Sequence, residues 1–116
     1  MSSGSQPGLQ AGVLLADKPA GLTSFSIVSR VRRILGVKKV GHAGTLDPFA
    51  TGLLIVCVGR PATKLIPLIM EGYKEYVATL CLGVATETYD TEGKITSRKA
   101  VGQLSGEAIE ACLRRF

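Results

Sequence analysis

One stretch limits the choice of fold more than any other. Residues 40–51 carry Gly41, Gly44 and Pro48 without helical or strand periodicity, and Gly52 then opens onto an unbroken apolar run at 53–58. That run, Leu-Leu-Ile-Val-Cys-Val closed by Gly59, predicts a buried strand. The segment ahead of it predicts a long ordered loop, the kind of element that houses function on a rigid scaffold. A second short apolar run at 12–16 also predicts a buried strand, broken by Pro19 and Gly21. Between the two strands, Thr23 or Ser24 is placed to cap a helix reaching about Leu35, and Gly36 to end it in the left-handed conformation. Ile27, Val28, Val31, Ile34 and Leu35 form the apolar stripe of that helix.

Downstream, Pro61 suits the first turn of a helix over 62–70, which Pro67 should kink or split in two. Residues 74–82 are β-prone, 86–93 are polar and turn-like, and 94–98 form another short strand. Ser105 can cap a helix over 106–116 with Ile109, Cys112, Leu113 and Phe116 as its stripe. A chain stopping on an apolar Phe116, with no C-cap, reads as a fragment.

Composition bounds the partners. With 116 residues, 46% of them hydrophobic, the chain suits one globular domain that buries roughly two-thirds of its unfolded surface. The formal charge of +5 favours nucleic acid, an anionic membrane surface or a phosphorylated ligand. Five of the fourteen basic residues (Arg30, Arg32, Arg33, Lys38 and Lys39) fall within ten positions, as a solvated helix face or as a phosphate-contacting edge. A single histidine excludes a His-rich metal site. Cys57, Cys81 and Cys112 are widely spaced, odd in number and never in a C-x-x-C pair, which fits reduced, buried thiols of a cytoplasmic protein. No apolar run reaches the roughly 18 residues needed to cross a bilayer, so no membrane span is expected. Residues 1–10 lack the cationic and apolar regions of a secretory signal and read as a flexible tail.

The chemistry concentrates in Gly41-His42-Ala43-Gly44-Thr45-Leu46-Asp47-Pro48. Two glycines allow a tight turn and close approach of a ligand, and Pro48 restricts the backbone of Asp47. A carboxylate held in a stiff loop ahead of a buried strand suits a nucleophile or a base. An Asp-Pro pair is also an ordinary turn element, and the loop residues alone leave both readings open. A phosphate-binding P-loop is not one of them, because Gly41-x-x-Gly44-Thr45 has the wrong spacing and lacks the lysine.

The same loop, followed by Ala50-x-Gly52-Leu53-Leu54, resembles the catalytic motif of TruB-type tRNA pseudouridine synthases. Asp17-Lys18-Pro19-x-Gly21-x-Thr23-Ser24 resembles that family's opening motif, Ala62-Thr63-Lys64 and Lys74-Glu75-Tyr76 its next landmarks, and Thr86-x-Thr88-x-Asp90-x-x-Gly93 its polar turn. The resemblance runs in unbroken order from about Gly12 to Phe116. It implies an α+β fold, with a mixed, largely antiparallel sheet and flanking helices: a truncated pseudouridine synthase fold. Residues 11–116 would be the N-terminal part of the catalytic domain, with its C-terminal half and an RNA-binding domain absent.

The implied reaction is isomerisation of a uridine in tRNA, typically the position-55 uridine of the T-loop, with no metal and no organic cofactor. Asp47 is then the nucleophile, attacking C6 of the base or C1′ of the ribose. Tyr76 packs against the target base, and His42 helps hold the RNA loop in its flipped arrangement. Gly44, Thr45, Lys18 and Lys64 complete the expected substrate- and RNA-binding set, Lys18 doubling as scaffold. The implied partner is the T-arm of tRNA. A guide-RNA-dependent relative and a non-catalytic RNA-binding module are the alternatives, and the sequence leaves oligomeric state undetermined.

Overall fold

The computed structural model describes residues 11–116, so the tail expected at 1–10 lies outside the described residues. The chain divides into two compact units, the first ending at Glu75 and the second running from Tyr76 to Phe116.

The first unit contains β1 (Gly12–Lys18), α1 (Ser24–Leu35), β2 (Val40–Ala43), β3 (Gly52–Val58), α2 (Arg60–Thr63) and α3 (Ile66–Met70). Its three strands lie in the order β1-β3-β2, antiparallel throughout. The apolar run at 53–58 takes the centre, where both edges of its backbone are paired. Leu54, Val56 and Val58 alternate onto one face and meet Val28 and Val31 of α1, with Val40 from β2 completing a core of six buried side chains. Cys57 points to the opposite face and is fully buried too. There α3 approaches so closely that a methyl group on Gly41 would lie 3.1 Å from Ile66 Cδ1.

Helix α1 forms as its sequence predicts. The Thr23 hydroxyl accepts a hydrogen bond from the Ser26 amide, and Gly36, with φ 65° and ψ 27°, closes the other end. The amide of Gly36 donates to the Arg32 carbonyl at 2.8 Å. Pro67 splits the next helix into α2 and α3, because its missing amide and its ring both oppose continuity.

Several expectations need correction. Strand β1 forms but is not buried: Val13, Leu14 and Leu15 are 52%, 43% and 66% exposed, since an edge strand has one paired neighbour and neither of its faces is fully covered. Ile34 and Leu35 leave the expected buried stripe and line an apolar concavity of about 240 Å³ beside β1. The first four residues of the predicted loop are strand β2, whose Gly-His-rich sequence gives no β signal and whose conformation comes from pairing with β3. Residues 74–82 do not form a strand, for β-prone side chains need a neighbouring backbone to pair with.

The second unit holds a hairpin of β4 (Val84–Thr86) and β5 (Ile95–Arg98), followed by α4 (Gly106–Leu113). The polar turn read from 86–93 joins the hairpin. Its Asp90 carboxylate accepts from the Thr88 hydroxyl at 2.6 Å and from the Glu92 amide at 2.9 Å. Those bonds, the Thr88 hydroxyl foremost, hold the Asp90 carboxyl below the usual carboxylate range. Ser105 caps α4 by accepting from the Ala108 amide. No residue from Tyr76 to Phe116 is buried. Cys81 and Cys112 are therefore exposed thiols, contrary to expectation, and only Cys57 is buried. Among the described residues no helix is long and apolar enough to cross a membrane.

Candidate active site

The loop after β2 is fastened at two points to residues from the end of β1 to the start of α1. The Ser24 hydroxyl donates to the Leu46 carbonyl at 3.1 Å and accepts from the Leu46 amide at 3.0 Å. The Pro48 carbonyl accepts from the Gly21 amide at 2.7 Å and from Lys18 Nζ at 3.2 Å. Gly21 adopts φ 91°, a conformation that L side chains rarely take, and this lets its amide reach across. The loop then folds back on itself, the Ala50 amide donating to the Asp47 carbonyl at 2.9 Å.

These bonds bracket Asp47. Leu46 before it and Pro48 after it are both pinned, while Asp47 itself is exposed. Its carboxylate accepts no hydrogen bond among the described residues, whereas its backbone is held on both sides. A nucleophile needs that combination, because a carboxylate already engaged by local amides would have to lose those bonds before attacking. Two concavities lie away from the loop, one beside β1 and the other at the far end of α1.

Lys18 departs from its expected RNA contact. The side chain is 0% exposed. Its three ammonium hydrogens are matched by three carbonyls: Pro19 at 2.9 Å, Leu22 at 2.7 Å and Pro48 at 3.2 Å. An amine so engaged has no donor left for phosphate, so Lys18 acts as an internal clamp joining two loops.

His42 lies on β2 opposite Val56. Its Nδ1 is 2.8 Å from the Gly44 carbonyl. A carbonyl can only accept, so Nδ1 carries the proton and, in the neutral ring, Nε2 keeps its lone pair. Gly44, with φ 91°, makes the turn into the loop. A methyl group there would stand 3.9 Å from Lys74 Nζ, which places a primary amine beside the loop. Thr45 is exposed next to Leu46. Lys64 stands exposed at the C-cap of α2 and is not among the groups bonded to the loop. Tyr76 opens the second unit and is 67% exposed.

The first unit thus places His42, Gly44, Thr45 and Asp47 along one stretch of chain, with Lys18 bonded to Pro48 at its end. Sequence reasoning missed three residues that lie beside this stretch as site residues: Gly21, Ser24 and Lys74. Ser24 and Gly21 belong to the opening motif, and Lys74 directly precedes Glu75-Tyr76, so position within motifs was the available signal. Cys57 is a poor nucleophile, as burial pushes its thiol pKa up. Among the described residues no group of three or more His, Cys, Asp and Glu side chains is arranged to hold a metal ion.

Comparison with known proteins adds a family to this geometry. The model of the TruB family pseudouridylate synthase (N terminal domain) matches residues 32–116. The tRNA pseudouridine synthase B of Desulfotalea psychrophila is 70% identical over 106 residues, covering 91% of this chain and 43% of that protein. The enzyme of the same description from Chlamydia felis is 47% identical over 105 residues, covering 90% of this chain and 45% of that protein. A chain in the solved structure of an H/ACA RNP bound to a substrate RNA containing 2′-deoxyuridine is 42% identical, with a TM-score of 0.49 over 52% of this chain and 19% of its own length. The chain therefore spans less than half the length of these curated relatives. With the loop, its fastening and the family match all in one polypeptide, the chain belongs to the TruB family of pseudouridylate synthases, within that family's N-terminal domain.

Proposed function

We propose that this chain supplies the nucleophile-bearing part of an enzyme that converts one uridine of tRNA, the position-55 uridine of the T-loop, to pseudouridine. The observation that carries the proposal is the Asp47 carboxylate, exposed and, among the described residues, unbonded between two pinned neighbours, in a chain 70% identical to a tRNA pseudouridine synthase B.

The reaction is an isomerisation and balances without a redox partner. The Asp47 carboxylate attacks the nucleoside at C6 or C1′, and the N1–C1′ bond breaks. The uracil turns while it is held, C5 bonds to C1′, the proton on C5 is lost and N1 gains one. Asp47 then leaves unchanged. A carboxylate suits both halves of this cycle, since it is a competent nucleophile and a good leaving group. Extruding the target base costs a few kcal/mol of stacking, part of which an aromatic face such as Tyr76 returns. His42 serves the extruded loop through the free Nε2, its other nitrogen being fixed by Gly44. Gly44 and Thr45 allow close approach of the RNA backbone, and Lys64 and Lys74 supply cations for it. Residues 11–116 are read as the N-terminal part of the catalytic domain.

The test joins this chain to the remainder of the Desulfotalea psychrophila relative and incubates the chimera with unmodified tRNA. Pseudouridine is expected at the T-loop position, with negligible turnover from residues 1–116 alone. A chimera that binds tRNA yet forms no pseudouridine would overturn the catalytic reading in favour of a binding module.

A further inference from the structure

We infer that the far end of α1 is a second RNA contact, a cationic platform for the phosphate backbone of a duplex stem. It rests on the reading of RNA as substrate and extends it to a surface remote from Asp47.

The charge distribution is lopsided. Between Asp17 and Asp47 the sequence contains no acidic residue, and positions 30–39 alone carry five positive charges. None of the five pairs with a carboxylate among the described residues, where the ion pair present is Arg114 with Glu110. Arg32 is the fixed member. Its Nη2 donates to the Val40 carbonyl at 3.0 Å and its guanidinium lies 5.8 Å from the Phe25 ring centroid. Its Nε is buried and has no acceptor. Ser29, Arg32, Arg33, Gly36, Val37 and Lys38 line an open basin there. Arg30, Arg33, Lys38 and Lys39 are exposed around it.

Geometry sets what this basin can touch. Ser24, in the first turn of α1, is bonded to the Asp47 loop, whereas Arg32 and Arg33 occupy its last turn. The 12 residues of α1 span about 18 Å. A nucleotide presented to Asp47 cannot place its own phosphate on the basin, so the phosphates contacted belong to nucleotides several steps away. Chemistry selects duplex over single strand. No aromatic residue is among those lining the basin, the nearby Phe25 ring lying against Arg32, and isolated cations read backbone charge without sequence preference.

The experiment compares this chain with the quadruple variant R30Q/R33Q/K38Q/K39Q, leaving Arg32 in place because it holds α1 to β2. The probes are a T-arm hairpin, a blunt RNA duplex and a single-stranded RNA of equal length, each titrated at several salt concentrations. The variant is expected to bind hairpin and duplex about tenfold more weakly or worse, with the slope of log affinity against log salt reduced by about three to four. The charge-conserving R30K/R33K variant should retain both affinity and slope. Unchanged affinity and slope in the quadruple variant would overturn the platform, as would a loss confined to the single strand, or no RNA binding by the unaltered chain. Pseudouridine formation by the chimera reports separately. A chimera that is active with an unchanged KM in the quadruple variant refutes the platform and spares the catalytic reading, whereas an inactive chimera whose RNA binding depends on the four residues does the reverse.

Discussion

The two units of this chain are built from similar local signals and end in different physical states. In the first, a capped helix and a three-stranded sheet enclose Val28, Val31, Val40, Leu54, Val56 and Val58. In the second, a hairpin with a well-bonded turn and a helix capped by Ser105 form with no buried residue, while Val77, Leu80 and Leu113 remain 98%, 71% and 57% exposed. Caps and turns therefore specify where elements begin and end, but burial decides which unit resists unfolding. The candidate site sits on the buried side of that divide, for the Asp47 loop is bonded to the segment linking β1 with α1.

The comparison breaks most visibly at Leu54, which is 1% exposed. Leu54→Ala should cost about 2–5 kcal/mol in urea unfolding followed through the first unit. Leu80→Ala in the second unit should stay within about 0.5 kcal/mol. Equal costs would show that the second unit has a core of its own. Lys18→Met comes next, since it strips one donor from each of three carbonyls and should cost about 1–3 kcal/mol. Hydrogen exchange at the Gly21 and Ala50 amides, which bond to Pro48 and Asp47, would reveal whether the loss loosens the loop.

Thiol labelling sharpens the contrast without altering the fold. Cys81 and Cys112 should react with a maleimide in the native chain, while Cys57 should react only after denaturation. The smallest effect belongs to the hairpin turn. Because the folded state lowers the Asp90 pKa, its contribution is present above the ordinary carboxylate range and is lost as pH falls through the lowered value. Asp90→Asn should abolish that acid dependence at the Glu92 amide in NMR titrations and leave the first unit untouched.

Which parts were legible follows from the range of the interactions involved. Thr23, Gly36, Pro67 and Ser105 act within a few residues, so their patterns announced α1, the split between α2 and α3, and the start of α4. Strand β2 depends on β3, twelve or more residues away, and its own side chains give no hint of it. The exposure of Val13 and Leu15 depends equally on which neighbours cover β1, a tertiary fact that an apolar run cannot carry. At the site, Asp47 and His42 were readable as a motif, but the reciprocal bonds of Ser24 with Leu46 span 22 positions. Lys18 illustrates the limit best. A lysine in a basic chain invites a phosphate contact, and only the three carbonyls around its amine show that it is an internal clamp.

The most direct measurement sets single-turnover pseudouridine formation against tRNA affinity for Asp47→Asn in the chimera. The substitution preserves size and leaves the bonds at Leu46 and Pro48 in place, while removing the negative oxygen. Product formation should vanish with affinity held within a few-fold of the unaltered chimera. Residual conversion at a comparable rate, or a loss of binding as large as the loss of turnover, would contradict a pinned loop presenting a free carboxylate for attack.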